Sequence, residues 1–220
     1  MNNEKGFTLI ELMVALTLGL LISAAAMQLF LTSQKNNVSQ QGLINLQGSS
    51  IFGLESIVRD IRQANLLAEQ PYMDDKTPSG GIVLTPFNLS TKYHETSPGV
   101  KELDFSIDED LLSKSGVGDS NLTGLSSDQL VVQYRVNETN HFDCEGNSIP
   151  ARTYVVQRFF LREDSNTQSN EPNKPLALAC KATRYLEKDL STKNTLDDLS
   201  GDGQIIIPRV DHLRVLLGVA

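Results

Sequence analysis

Two cysteines and three histidines are the residues of this chain that could bind a transition metal. His141 and Cys144 share an H-x-x-C spacing, whereas Cys180 and the other histidines stand apart in the sequence. A structural zinc site needs four ligands with close local pairing, so this pattern does not predict one. The acidic stretch DDLSGDGQ, residues 197–204, departs from the spacing of a calcium loop and predicts a turn. We therefore expect no metal ion and no cofactor.

No group of side chains has the spacing of a catalytic motif. The sequence lacks a G-x-S-x-G turn, a glycine-rich phosphate loop, and a histidine close in sequence to a plausible nucleophile. A net charge of −8 with scattered basic residues argues against a nucleic-acid surface. The sequence therefore predicts neither an enzyme nor a protein that binds nucleic acid directly.

Cys144 and Cys180 could instead form one disulfide bond. They lie 36 positions apart and flank the strand-like stretch TYVVQRFFLRED. Closing a loop of that size stabilises a folded domain by about 3–4 kcal/mol. Two buried free thiols are the alternative, and the compartment decides between them because disulfides persist in exported proteins. We predict the disulfide for an exported head domain.

A glutamate stands inside the most apolar part of the sequence. In KGFTLIELMVAL, residues 5–16, Glu11 interrupts an apolar run, and no further charge follows until Lys35. The uncharged run is long enough to cross a bilayer. A carboxylate at that depth costs about 2.5–3.5 kcal/mol on insertion scales. The position of Glu11 therefore calls for a specific explanation.

Two common kinds of apolar segment leave this acid unexplained. A plain transmembrane anchor has no use for Glu11. A secretory signal peptide could be cleaved after Ala26, since the small residues of SAAAM follow an apolar stretch. Its leader would carry Glu4 where a positive charge is expected, and the helical pattern continues beyond Met27.

The stretch KGFTLIELMVAL resembles the amino-terminal signal of type IV prepilins and of the pseudopilins of type II secretion. In those proteins a membrane peptidase cleaves after a glycine, here Gly6, and methylates the new amino terminus, here Phe7. The resemblance implies that Glu11 pairs with the Phe7 amine of a neighbouring subunit. Such a partner would offset the desolvation of the carboxylate and set the axial register.

The resemblance also implies where the apolar helix resides: in the inner membrane first, and in the core of a filament afterwards. The implied partners are other minor and major pilins, the prepilin peptidase and an inner-membrane assembly platform. The implied topology is one membrane span with a periplasmic head, followed by the assembled pilus on the cell surface. The implied packing residues are Phe7, Leu9, Ile10, Leu12, Met13, Val14, Leu16, Leu18, Leu20, Leu21, Ile22, Leu29 and Phe30.

The rest of the chain predicts an α+β fold, with a long amino-terminal helix packed on an antiparallel β-sheet head. No proline precedes Pro71, so we expect one helix from about Phe7 to about Leu67. An apolar stripe at helical spacing should pack on the head. The stripe comprises Leu43, Leu46, Leu54, Ile57, Val58 and Ile61. The predicted segments are a leader over 1–6, an apolar helix over 7–34, an amphipathic continuation over 35–70 and a β-rich head over 71–220.

After residue 70 the apolar period changes to two, which is typical of strands. The predicted strands are GIVLTPF (81–87), KELDFSID (101–108), DQLVVQYRVNET (128–139), TYVVQRFFLRED (153–164), LALACKATRYL (176–186) and QIIIPRVDHLRVLLGVA (204–220). The polar stretches 113–128 and 164–175 predict exposed loops. No helix pattern separates the strands, so the sheet should be antiparallel.

Several blocks resemble PilW-type minor pilins in order along the chain. IFGLESIVRDIRQANL, residues 51–66, matches their helix end at Arg59, Asp60, Arg62 and Ala64, with Asn65 where those proteins usually have glycine. The blocks FDCEGN, VVQRFFLRE, LALAC and RVDHLRVLLGV follow. PilW-like proteins usually extend past that last block, so we expect either a short member or a final strand that a neighbour covers.

The implied function is a minor pilin of a bacterial type IV pilus. Such a subunit joins a tip-proximal complex that starts assembly, and so serves twitching motility, adhesion or DNA uptake. Two alternatives remain: a J-type minor pseudopilin of a type II secretion system, and a periplasmic binding domain released by signal peptidase.

Overall fold

The computed structural model describes residues 6–66, 72–89, 107–167, 171–186 and 199–218. The chain divides into two compact units, Met1–Gln47 and Gly48–Ala220. One helix, α1 (Leu9–Gln63), contributes to both units, and an antiparallel sheet forms the body of the second. The predicted α+β architecture is confirmed.

The end of α1 is fixed by a residue in the left-handed conformation. Asn65 has φ 64°, a conformation that glycine favours and asparagine tolerates, so it can stand where a glycine was expected. Its backbone N–H donates to the Gln133 carbonyl at 3.4 Å, and its Oδ1 accepts from the Gly81 N–H at 3.2 Å. The helix therefore stops where its last residues bond to the head.

Five strands form the main sheet in the order β1-β2-β5-β6-β7, and two more form a small hairpin. All paired strands are antiparallel. The strands are β1 (Lys114–Gly118), β2 (Ser127–Val136), β3 (His141–Phe142), β4 (Ser148–Ile149), β5 (Thr153–Glu163), β6 (Leu176–Leu186) and β7 (Gln204–Pro208). Short 3-10 turns span Pro86–Leu89 and Glu109–Leu111.

The central strands are buried on both faces. On one face Leu130 and Val132 pack with Phe159 in a cluster that Ile57 of α1, and Ala64 just after the helix, also contact. On the opposite face a second cluster joins the sheet to residues from the loops before β1 and after β6. This second cluster contains Val83, Leu89, Leu112, Val131, Tyr154, Val156, Tyr185 and Leu199. The alternation in β2 therefore separates two interior faces.

Two of the predicted strands, GIVLTPF and KELDFSID, are not strands in the described part of the chain. GIVLTPF is not a strand: Ile82 forms an isolated bridge with Val132, and Pro86 begins a 3-10 turn. The buried Asn88 side chain holds that turn, because its Oδ1 accepts the N–H groups of Leu84 and Thr85. The predicted strand KELDFSID lies mostly outside the described residues.

Predictions for two other segments were wrong. The stretch 113–128, expected to be a loop, contains β1, an exposed edge strand without an apolar alternation to reveal it. The strand expected over 204–220 ends at Pro208, because proline has no N–H to continue the ladder and Arg209 adopts φ 57°. Residues 209–218 continue without regular structure.

The face of α1 that packs on the sheet was also predicted incorrectly. Of the apolar stripe, Ile57 packs on the sheet, whereas Leu54, Val58 and Ile61 are 54%, 42% and 43% exposed. The docked face instead centres on Gly53, Ile57, Asp60 and Ala64. Gly53 permits the close approach, since a Cβ there would overlap Ile207 of β7.

Candidate functional site

The first turn of α1 is closed by reciprocal hydrogen bonds between Thr8 and Glu11. The Thr8 N–H and hydroxyl both donate to Glu11 Oε2, at 2.9 and 2.8 Å. In return the Glu11 N–H donates to Thr8 Oγ1 at 3.4 Å. This is a capping box, in which two side chains satisfy backbone N–H groups that a helix start leaves unpaired.

The capping box was missed in the sequence, although its signal is present. A threonine followed three residues later by glutamate, ahead of an apolar run, is the signature of this motif. Glu11 therefore has a structural role inside its own chain. Among the residues that the structure describes, no lysine or arginine forms an ion pair with Glu11.

Gly6 and Phe7 precede the first helical turn. Both are exposed, Phe7 by 90%, and neither belongs to a helix or strand. Their peptide bond is therefore free of the hydrogen bonds of α1, as a cleavage site needs to be. The leader residues 1–5 lie outside the described part of the chain, so the cleavage and methylation at this bond stay predictions.

The apolar part of α1 is hydrophobic around its whole circumference. Every predicted packing residue is at least half exposed in the single chain: Phe7, Leu9, Ile10, Leu12, Met13, Val14, Leu16, Leu18, Leu20, Leu21, Ile22, Leu29 and Phe30. The Thr17 and Ser23 hydroxyls donate to helix carbonyls at 2.9 and 2.8 Å, so neither needs an external partner. By length and composition this helix could cross a membrane, a property that signal sequences share.

The predicted disulfide between Cys144 and Cys180 is present in the structure. It joins the loop between β3 and β4 to the buried middle of β6, with the two Cα atoms 6.1 Å apart. Glu145 makes a second link, because its carboxylate accepts from the Lys181 ammonium at 3.1 Å and from the Ala182 N–H at 3.0 Å. The hairpin is thereby held against β6 next to the position where β7 begins, since Cys180 pairs with Gln204.

A second acid of α1, Asp60, is buried between the helix and the sheet, with 5% of its surface exposed. The Gln157 amide satisfies every neighbour when its nitrogen faces this carboxylate. Nε2 then donates to Asp60 Oδ2 at 2.7 Å, while Oε1 accepts from the Cys144 N–H at 3.1 Å and the Tyr134 hydroxyl at 3.0 Å. One buried amide therefore connects the helix, two strands and the disulfide loop.

Burial raises the pKa of Asp60 to about 6, against a smaller opposing effect of the exposed Arg59 guanidinium. The Gln157 donor favours the ionised form and so works against that rise. Burial, together with the negative charges of Asp60 and Asp143, raises the pKa of Tyr134, which keeps its hydroxyl a donor. Sequence reasoning had matched Asp60 to a motif without assigning it a contact, because nothing local marks a helical acid as buried.

No metal cluster exists among the described residues: no three or more histidine, cysteine or acidic side chains converge there. His141 lies on an exposed strand of the hairpin, and the neighbouring Cys144 is in the disulfide. The acidic stretch 197–204 is described only from residue 199 onward.

Comparison with known proteins gives one match. The family described as "Prokaryotic N-terminal methylation motif" matches residues 1–27. No curated protein matches the chain, and no solved structure does. The motif indicates a type IV pilin or pseudopilin, and together with the apolar helix it fits a membrane-anchored protein that later enters a pilus.

Proposed function

We propose that this protein is a minor pilin of a bacterial type IV pilus, of the PilW kind. Prepilin peptidase cleaves after Gly6 and methylates Phe7, and the subunit waits in the inner membrane with its head in the periplasm. It then joins other minor and major pilins at the assembly platform and takes part in starting the pilus. Twitching motility, adhesion or DNA uptake depend on that step.

The observation that carries the proposal is Glu11 at the start of an apolar helix whose first part, up to residue 27, lies within the matched methylation motif. The capping box satisfies hydrogen-bonding groups of the first turn but leaves the negative charge of Glu11 uncompensated among the described residues. Cleavage at Gly6 creates a cation, the Phe7 amine, within reach of a neighbouring Glu11. Pairing between subunits then stabilises assembly over a lone subunit in lipid.

Mass spectrometry of the mature chain tests the processing step. We expect an amino terminus at N-methyl-Phe7 in cells with prepilin peptidase, and an uncut chain in cells without it. A Gly6→Val variant should remain uncut, with Gly19→Val as the matched control that is processed normally. An amino terminus at Met27 would contradict the proposal and support release by signal peptidase.

Two variants of Glu11 separate its charge from its capping role. Glutamine can replace glutamate in a capping box, whereas alanine cannot. We expect both Glu11→Gln and Glu11→Ala to be processed and both to enter pili poorly, measured as the fraction of subunit in sheared pili. Normal incorporation of Glu11→Gln, with loss only in Glu11→Ala, would show that capping and not charge is what assembly needs.

A J-type minor pseudopilin is the second candidate, because the matched motif is common to pilins and pseudopilins. The two machines differ in what they export. Deletion of the gene should abolish surface pili and leave protein secretion intact if the proposal is correct. Loss of secretion with normal pili would assign the protein to a type II secretion system.

A further inference from the structure

We propose that the Cys144–Cys180 disulfide acts as a redox latch for the last turns of α1: the closed bond holds Gln157 against the buried Asp60, and opening it loosens the helix from the sheet. The inference concerns contacts inside the head. It does not depend on the assembly role proposed above.

The latch is built from one chain of contacts. The disulfide fixes Cys144 over the sheet, and the Cys144 N–H donates to Gln157 Oε1 at 3.1 Å. The Tyr134 hydroxyl donates to the same oxygen at 3.0 Å. Nε2 then donates to Asp60 Oδ2 at 2.7 Å. Two donors on Oε1 thus reinforce the orientation in which the donor group of this amide, Nε2, faces the carboxylate.

The orientation of Gln157 matters because, in the part of the head that the structure describes, Gln157 is the one hydrogen-bond donor placed against the Asp60 carboxylate. Its other charged neighbour, Arg59, lies 3.9 Å away on the exposed side of the helix, where the interaction is weak. Asp143, in the loop between β3 and β4, adds a second negative charge near Tyr134. A buried carboxylate that loses its one strong donor destabilises the contact that buries it.

The small residues on the docked face make this contact easy to disturb. Gly53 and Ala64 contribute little apolar area, and Ile57 is the one large side chain of α1 in the shared cluster. Leu54, Val58 and Ile61 of the apolar stripe are 54%, 42% and 43% exposed. The Asp60–Gln157 hydrogen bond therefore acts together with the hydrogen bonds of Asn65 to Gln133 and Gly81 in holding this end of the helix.

Opening the latch needs a dithiol such as dithiothreitol. The reagent breaks the S–S bond, supplies two electrons and two protons to the two cysteine sulfurs, and closes to its own cyclic disulfide. The reverse step, in an exported chain, needs a disulfide oxidant that leaves as a dithiol. The hairpin is still tethered after reduction by Glu145, so we expect local loosening and not loss of the head.

Hydrogen–deuterium exchange of the full chain in detergent micelles tests the latch. The oxidised protein is compared at one pH with protein reduced by dithiothreitol, the two thiols being confirmed by alkylation, and with a Cys144→Ala/Cys180→Ala variant. We expect exchange over residues 57–64 to rise about tenfold or more without the disulfide. Amides of Val131 and Val156 in the central strands open with the whole head, so their acceleration measures the accompanying loss of global stability and should be the same in every variant.

Variants of two acids show whether the effect passes through Asp60. In Asp60→Ala, exchange over 57–64 should already be high, and loss of the disulfide should change it by less than about threefold. Glu55→Ala removes an exposed acid from the same helix and should keep the full response. Equal responses in wild type and Asp60→Ala would overturn the latch, as would unchanged exchange over 57–64 or exchange there no faster than that of Val131 and Val156.

Discussion

Two acids on one helix are stabilised in opposite ways. Glu11 lies in the first turn of α1, exposed, where unpaired N–H groups and the positive end of the helix dipole favour a carboxylate. Asp60 lies in the last turn, buried against the sheet, where the dipole disfavours it and a single side-chain amide compensates. Local backbone chemistry therefore supports Glu11, whereas only contacts with distant strands support Asp60.

The comparison shows that each acid depends on a different part of the chain. The surroundings of Glu11 come from four consecutive residues and need no tertiary structure. Those of Asp60 come from Tyr134 of β2, Gln157 of β5 and Cys144 of the disulfide loop, all of them more than 70 positions away in sequence. Changes in the head should therefore affect Asp60 and leave the first turn of α1 untouched.

Removal of the disulfide should give the largest difference in stability effect between the head, which contains Asp60, and the first turn of α1, which contains Glu11. The Cys144→Ala/Cys180→Ala variant should lose about 3–4 kcal/mol from the free energy of unfolding of the head, because a 36-position loop is no longer closed. Denaturant unfolding of the full chain in micelles measures this. Amide exchange over residues 9–12 should not change, and a parallel rise there would break the comparison.

The pH dependence of the stability of the head should show the next largest effect, which comes from the burial of Asp60. The folded pKa of Asp60 is raised to about 6, so the protonated form stabilises the head below the unfolded value of 3.8, and that stability is lost as pH rises through 6. The Asp60→Asn variant should not show this loss. Between pH 4 and pH 8 its free energy of unfolding should therefore rise, relative to that of wild type, by at most about 3 kcal/mol. The Gln157 donor makes the measured gain smaller.

The control is the difference between wild type and variant at each pH. Asp164 has a lowered pKa, chiefly from the Asn166 N–H and also from Arg209, so it destabilises the head as pH falls. That contribution is common to both proteins and cancels in the difference. A pH-independent difference would mean that Asp60 is ionised throughout the range.

Two glycines of α1 should respond oppositely to the same substitution. Gly53→Ala places a Cβ against Ile207 and should destabilise the head by about 1–3 kcal/mol. Gly48→Ala meets no atom within 4 Å and should stabilise the helix by about 0.5–1 kcal/mol. Denaturant unfolding of the full chain measures both, and equal effects would mean that Gly53 is not the close contact.

The smallest effect should come from the first turn. Thr8→Ala removes the capping hydroxyl and should cost about 1 kcal/mol, or about fivefold faster exchange over residues 9–12. Thr17→Ala removes a hydroxyl that only bonds back to a helix carbonyl and should leave those amides unchanged. A change in amide exchange over residues 57–64 in Thr8→Ala would contradict the independence of the first turn of α1 from its docked end.

The fold class was predictable because apolar periodicity differs between a helix and a strand. The proline-free start and the alternation in β2 indicated a long helix and a sheet, and both are present. The edge strand β1 was not predictable in this way, since it is exposed and lacks alternation. The end of β7 at Pro208 was marked by the proline itself, a local signal that the apolar run beyond it obscured.

The face by which α1 docks shows the limit of periodicity most clearly. An apolar stripe predicts a buried stripe only when burial is decided by hydrophobic area. Here the shape of β7 favoured the side with Gly53, and a hydrogen bond to Gln157 favoured the side with Asp60. The apolar Leu54 and Val58 were left 54% and 42% exposed.

The amino-acid sequence by itself determined the amino-terminal signal, the apolar helix and the capping box, because each depends on neighbours within a few positions along the chain. It also carried both cysteines, and the loop between them was of a size that a disulfide could close. Only the tertiary structure decided that Asp60 is buried, that Gln157 faces it and that the disulfide loop holds that amide. Those contacts join residues far apart in sequence, so the packing of the sheet had to bring them together first.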